Sequence, residues 1–356
     1  MKKLAFMGLV ILGAIPHLLA DGKFFVREDV RPGEPFQRAL IVHDQGREFL
    51  LVQPQLVGAA KEFAWVLPVP APPALGHLDP GAAMVLFYLL DKHARPDVVR
   101  VKYLVFLGLS IGILVLTAFS KLSRGKKRAI YLGLVFVWLV GFLFIPTVMM
   151  TRGLPQGSEV EILDAKRVGI YETTTVRSAN PGAMKEWLDQ GGYRVGPEEL
   201  AAIKSYVERG WCFVAMKIVA EEACVHDGLL QALALDFPSA DPVYPFALTA
   251  TGGTETRVVL YVYTSHRMDH PAFQTAYAGL DPGTSAGAAW AWERYWDREY
   301  GIQWGTSEGK PPPAPPPNPG FMTKLRGTLS SRNVQGDVVL RPAADDAMLR
   351  ERAWLW

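Results

Sequence analysis

Residues 36–53 read FQRALIVHDQGREFLLVQ, and this stretch decides the fold class. Phe36 to His43 and Arg47 to Gln53 are rich in aliphatic, β-branched and aromatic residues, as strands are. Asp44-Gln45-Gly46 between them carries the turn chemistry of a hairpin. Glu62 to Val69 reads as a third strand. Pro68-Val69-Pro70-Ala71-Pro72-Pro73 removes backbone donors, so that strand must end or lie at an edge there. Gly81 to Ala94 then predicts a helix, with Ala83, Leu86, Leu90 and Ala94 at helical spacing.

The second half of the chain continues in the same style. Ser158 to Ser178 is strand material, and Ala183 to Gln190 is a short helix stopped by Gly191-Gly192. Gly196-Pro197-Glu198-Glu199 opens a further helix, with proline and acids in its first turn. Leu200, Ile203 and Val207 form its apolar stripe. Trp211 to Val219, Leu230 to Phe237, Phe246 to Thr251 and Arg257 to Thr264 read as strands, and Ala286 to Tyr300 as a helix. Long helices do not alternate regularly with these strands, which argues against a doubly wound parallel sheet. The expected fold is α+β: a mainly antiparallel β-sheet ectodomain with a few short helices.

Two apolar stretches interrupt that pattern. Tyr103 to Ser120 and Ala129 to Thr151 carry no charged residue. As helices they would reach about 27 and 34 Å, near the ~30 Å hydrocarbon thickness of a bilayer. The expectation is a two-helix transmembrane hairpin over 101–151. Its loop, 120–129, has five basic residues and no acid, which places it in the cytoplasm. Gly108 and Gly112 form a GxxxG pattern suited to close helix packing, within the hairpin or between copies. The N-terminus adds an address. Met1-Lys2-Lys3, an apolar run from Leu4 to Ile15, and Ala20 before Asp21 make residues 1–20 a signal peptide or an uncleaved signal anchor. Together these predict an integral membrane protein with most of its chain on the exterior side. The exterior parts are then a β-rich segment over 21–100 that ends in a helix, and an α+β domain over 152–309.

The chain of 356 residues allows about two domains. Hydrophobic residues at 49% exclude a disordered chain. A net charge of +2, from 37 basic and 35 acidic residues, leaves no nucleic-acid footprint. Lys310 to Gly320 reads KPPPAPPPNPG, a polyproline II spacer over 310–320. Residues 321–356 are too short for a core of their own and are expected to dock back on the ectodomain.

Several segments, in order, resemble one bacterial family. They are Phe63-Ala64-Trp65-Val66-Leu67-Pro68-Val69-Pro70, Glu186-Trp187-Leu188-Asp189 with Gly192-Tyr193, and Trp211-Cys212-Phe213-Val214-Ala215-Met216-Lys217. Next come Phe237-Pro238-Ser239 and Pro242-Val243-Tyr244-Pro245-Phe246-Ala247. Thr323-Lys324-Leu325-Arg326-Gly327 and Asp337-Val338-Val339-Leu340 close the series. This pattern resembles domain of unknown function 2330. The resemblance implies an exported bacterial protein, which would make the membrane the bacterial inner membrane and the exterior side periplasmic or cell-surface, and it brings no activity, cofactor or catalytic residue with it.

Individual residues suggest a few sites. Cys212 and Cys224 could form a disulfide in an oxidising compartment or remain two buried thiols. His266 and His270 have the i, i+4 spacing of metal ligands, but Pro271 and the preceding strand favour a polar loop. Trp290, Trp292 and Trp296 could present an aromatic binding face, or pack in the core. No P-loop or GxGxxG motif occurs, and no cofactor is implied. The expected function is membrane-anchored binding or scaffolding, with a cell-envelope hydrolase or sugar-acting enzyme and an accessory subunit of a membrane complex as alternatives.

Overall fold

The computed structural model describes residues 23–26, 36–55, 62–100, 160–191, 195–219, 228–252, 255–281, 289–296, 301–305, 313–334 and 336–355. β1 (Lys23–Val26) leads to the hairpin of β2 (Phe36–Asp44) and β3 (Arg47–Pro54). β4 (Glu62–Val69), β5 (Ala74–Leu78), α1 (Pro80–His93) and β6 (Asp97–Arg100) follow. Then come β7 (Glu161–Val168), β8 (Tyr171–Arg177), α2 (Pro181–Gln190), α3 (Pro197–Glu208), β9 (Cys212–Val219) and β10 (Ala232–Pro238). The next elements are β11 (Val243–Tyr244), α4 (Ala247–Ala250), β12 (Thr256–Thr264), β13 (Met268–Asp269), β14 (Gln274–Leu280) and α5 (Ala289–Arg294). The chain closes with β15 (Gln303–Trp304), β16 (Phe321–Leu329), β17 (Val338–Val339), β18 (Arg341–Pro342), β19 (Leu349–Arg350) and β20 (Arg352–Leu355).

The 36–53 hairpin turns on two residues. Asp44 faces Arg47 in the register, and Gln45 and Gly46 between them have φ of 48° and 77°. A two-residue turn with positive φ at both centres twists in the same sense as its strands. Gly46 takes that conformation freely, whereas Gln45 must be held in it.

Two sheets carry the fold. The larger has nine strands in the order β15-β5-β10-β3-β2-β12-β16-β14-β19, and the smaller has five in the order β1-β4-β9-β8-β7. Pairing within the smaller sheet is antiparallel throughout. In the larger sheet β2 and β12 run parallel and every other pair is antiparallel. Among the described residues β1 pairs with β4 only as far as Val66, so Pro68 has no described partner on that side.

Alternation within the strands sets the layers. Ala39, Ile41, Leu50 and Val52 face a core shared with Trp65, Leu67, Val214 and Met216 of the smaller sheet. Their neighbours Leu40, Val42, Phe49 and Leu51 point the opposite way, where Leu86, Phe87 and Leu90 of α1 cover them. On the far side, Val66, Val176, Phe213 and Ala215 are covered by Met184 and Trp187 of α2 and Ile203 and Tyr206 of α3. The result is four layers: helix, sheet, sheet, helix. Both faces of the central strands are buried, so their sequences are continuous apolar runs rather than alternating ones. Each fully buried large side chain contributes about 1.5–3 kcal/mol by removal from water.

Helix α1 is well specified locally. Asp79 caps it, accepting from Gly81 N at 2.8 Å and Ala82 N at 3.3 Å. Pro80 opens it, and Lys92 and His93 lie in its last turn.

The expected fold class requires correction. The molecule is mostly β-sheet with few helices, and among the described residues no helix is long and apolar enough to cross a membrane. The two-helix hairpin is therefore not part of the observed architecture. Its two spans, its basic loop, Gly108 and Gly112 all lie outside the described residues, as does the 1–20 segment. The strand expected over 246–251 is instead the short helix α4. Its cause is Asp337, whose carboxylate accepts the amides of Phe246 and Ala247 at 3.0 and 3.1 Å and curls the chain there. The C-terminal segment does more than dock. β16 lies inside the large sheet, between β12 and β14. The described part of the proline-rich run is also tied down. Trp296 Nε1 donates to the Pro313 carbonyl at 2.9 Å, and Arg47 Nη2 donates to the Ala314 carbonyl at 2.5 Å.

Candidate functional site

The helix-facing side of the large sheet changes character along its strands. Side chains two residues apart on a strand share a face, and the pairing register aligns them in rows across the sheet. One row runs Leu40, Tyr261, Lys324, Tyr277. The next row runs Arg38, Val259, Arg326, Gln274. The last places Phe36, Arg257 and Thr328 side by side. The first of these rows is largely covered by α1. The other two emerge from beneath it and turn from apolar to cationic.

Where they emerge, the sheet forms the floor of a cleft of about 780 Å³, and α1 forms its wall. The wall presents Met84 and Tyr88, which are 44% and 52% exposed. Phe87 and Asp91 of the same helix complete it. The floor contributes Arg38, Arg257, Lys324 and Arg326 against a single lining carboxylate, Asp91.

The cations differ in their partners. Lys324 Nζ lies 2.5 Å from Asp91 Oδ1, and the Tyr261 hydroxyl donates to the same oxygen at 2.7 Å. Burial works against the charge on Asp91, but these hydrogen bonds outweigh it and hold the carboxyl below its ordinary range. Arg326 Nη2 lies 2.7 and 2.6 Å from the two oxygens of Glu351. Arg38 donates from Nε to the neutral Gln53 Oε1 at 2.9 Å, and its guanidinium stacks 4.6 Å from the centroid of Phe87. Its Nη2 is buried without a hydrogen-bond partner. Burial lowers the Arg38 pKa to about 10, so it remains cationic at neutral pH. Arg257 sits 5.3 Å from the Phe36 ring centroid. Burial and the neighbouring charge of Arg326 both push its pKa down.

A second polar cluster lies at the C-terminal end of α1. His93 Nε2 is 3.0 Å from the Tyr277 hydroxyl and 3.9 Å from Asp281 Oδ2. The Tyr263 hydroxyl donates to Asp281 at 2.8 Å. Burial lowers the His93 pKa, Asp281 raises it, and Arg350 lowers it further.

The residues singled out from sequence lie elsewhere. His266 pairs with Asp346 at 2.8 Å, while His270 Nδ1 accepts from Ala272 N at 3.2 Å. They are committed to different partners, and among the described residues no group of three or more His, Cys, Asp or Glu is arranged to hold a metal. Trp292 and Trp296 form no open aromatic face. Both are buried under the large sheet's outer side, 5.7 Å from Tyr263 and 4.8 Å from Phe49 between ring centroids. The Trp290 side chain lies outside the described residues. Cys212 is buried in β9 with its thiol 3.5 Å from Arg177 Nη2, and burial raises its pKa. Cys224 lies outside the described residues.

The cationic floor was missed in the sequence. Its one local signal is Lys324-Leu325-Arg326, where two basic residues flank an apolar one and so share a strand face.

A comparison with curated proteins gives no match. Among solved structures the chain is similar to baculovirus P35, with 11% identity over 87% of this chain and 97% of that one. The TM-score is 0.37. Residues 34–280, from the start of β2 through β14, match the family described as "Uncharacterized protein conserved in bacteria (DUF2330)". That match takes in more than half of the chain, including both sheets' central strands and the helix that walls the cleft, and the chain belongs to this bacterial family.

Proposed function

We propose that this protein is an exported bacterial binding module that holds a small ligand between α1 and the large sheet. The cleft carries the reading. Its volume of about 780 Å³ falls within the range of small-molecule sites, roughly 300–1,000 Å³. Its walls are strands and a capped helix rather than loops, so the shape is formed before a ligand arrives. The basic start, apolar run and small residue at Ala20 support export.

Native mass spectrometry of the full-length chain purified from the bacterial cell envelope tests this reading. The expected result is a bound small molecule that is lost in Thr328→Trp, which fills the floor beside Arg257, while the melting temperature stays within about 2 °C. A chain that carries no small molecule, or carries the same one after the substitution, overturns it.

A further inference from the structure

We infer that the cleft selects an amphiphilic oxyanion, a carboxylate or phosphate on an aromatic or acyl body. The inference rests on the cleft being a ligand site and specifies its chemistry. Of its four cations, Lys324 is matched by Asp91 and Arg326 by Glu351. Among the described residues, Arg38 and Arg257 have no ion-pair partner. Arg38 Nη2 also lacks a hydrogen-bond partner. Arg257 is exposed and lines the cleft, so a charge without a counter-ion faces its interior.

The register brings the cations together. Val259 lies between Arg38 on one neighbouring strand and Arg326 on the other. Arg257 precedes it by two residues on the same face. Strands are about 4.8 Å apart and side chains on one face about 7 Å apart along a strand. An oxyanion resting above Val259 is therefore within reach of three long guanidinium arms. Arg guanidinium groups recognise carboxylate and phosphate through paired, charge-assisted hydrogen bonds. The anion would also relieve the repulsion between Arg257 and Arg326. The rest of the ligand meets Tyr88 and Met84, which α1 leaves exposed on the wall.

Isothermal titration of the full chain with three probes tests the inference: 3-phenylpropionate, phenyl phosphate and the neutral 3-phenylpropanamide. One or both anions should bind and the amide should bind at least tenfold more weakly. Whichever anion binds more tightly identifies the head group. Affinity should fall as salt rises. Arg257→Gln should weaken the anion by about tenfold to a hundredfold, as expected for a lost hydrogen bond to a charged group. Arg257 is exposed, so its melting temperature should be unchanged, and Arg257→Lys should recover part of the affinity. Equal binding of amide and anions, binding indifferent to Arg257→Gln, or no binding of either anion overturns the inference. Equal binding that Thr328→Trp abolishes would leave the cleft as a ligand site and remove only its charge selectivity.

Discussion

Asp337 and Tyr206 lie 131 residues apart, and the Tyr206 hydroxyl donates to the Asp337 carboxylate. The same carboxylate accepts the amides of Phe246 and Ala247 and pairs with Arg209 Nη2 at 2.8 Å. Its side chain is only 1% exposed. One acid from beyond the family-matched region thus joins α3, α4 and the C-terminal strands.

Asp337→Ala would strand two backbone amides, a buried tyrosine hydroxyl and part of a charge pair. Unmet buried donors cost about 1–3 kcal/mol each, with partial relief by water. The expected loss is about 3 kcal/mol or more in denaturant unfolding. Asp337→Asn keeps one acceptor oxygen and should lose roughly half as much. An alanine variant within about 0.5 kcal/mol of wild type would show that the joint is not structural.

Glu48 supplies a pH dependence. It is 0% exposed, on the side of β3 that faces between the sheets, and accepts from Val243 N at 2.9 Å. Burial raises its pKa well above the ordinary value of 4.5, and the Val243 amide only partly opposes this. The folded state therefore holds the proton more tightly than the unfolded chain. The stabilisation is fully present below the unfolded pKa and is lost as pH rises through the folded one. Glu48→Gln keeps an acceptor for Val243 and cannot ionise. It should be more stable than wild type at neutral pH and should flatten the fall in stability above pH 4.5. Thermal melts from pH 4 to 8 check this. A glutamine variant with the wild-type slope would assign the dependence to other groups.

The legible parts of the fold were those written in local sequence. The 36–53 hairpin, the 81–94 helix and the proline-opened helix after Gly196 each carry their own turn, cap or stripe. The layering was also present, in a less obvious form. Runs such as Ala39-Leu40-Ile41-Val42 do not alternate because both faces of the strand are covered, and that condition itself implies a sheet buried between layers. The charge-free stretches over 103–120 and 129–151 pointed to a membrane hairpin that the fold class does not keep: they lie outside the described residues, among which no helix is long and apolar enough to cross a membrane. The cleft was illegible for a different reason. Arg38, Arg257 and Arg326 come from three segments separated by scores of residues, and the parallel pairing of β2 with β12 together with the antiparallel pairing of β12 with β16 brings them onto one patch of the sheet. Nothing local encodes a non-consecutive strand order. For Trp292 and Trp296 the sequence left a binding face and core packing both open, since helical spacing shows which residues share a face but not what that face meets, and their burial is the second of these.

The proline-rich run was expected to act as a spacer, and its contacts imply a strap that forms as a unit. Trp296 holds its beginning through the Pro313 carbonyl, and Asn318 holds its end, donating to the Asp281 carbonyl at 2.9 Å and accepting from Gly320 N at 2.9 Å. Pro316 between them is buried. Proline restricts the backbone, so freeing one end loosens the other. Trp296→Phe and Asn318→Ala should each cost about 1–2 kcal/mol for the lost hydrogen bonds. If the strap detaches as one piece, the second substitution removes contacts that the first has already weakened. The double variant should then fall short of the sum of the singles by about 0.5 kcal/mol or more. Urea unfolding of the four proteins gives that difference directly. Strict additivity would mean that the two anchors act independently, with a flexible proline segment between them.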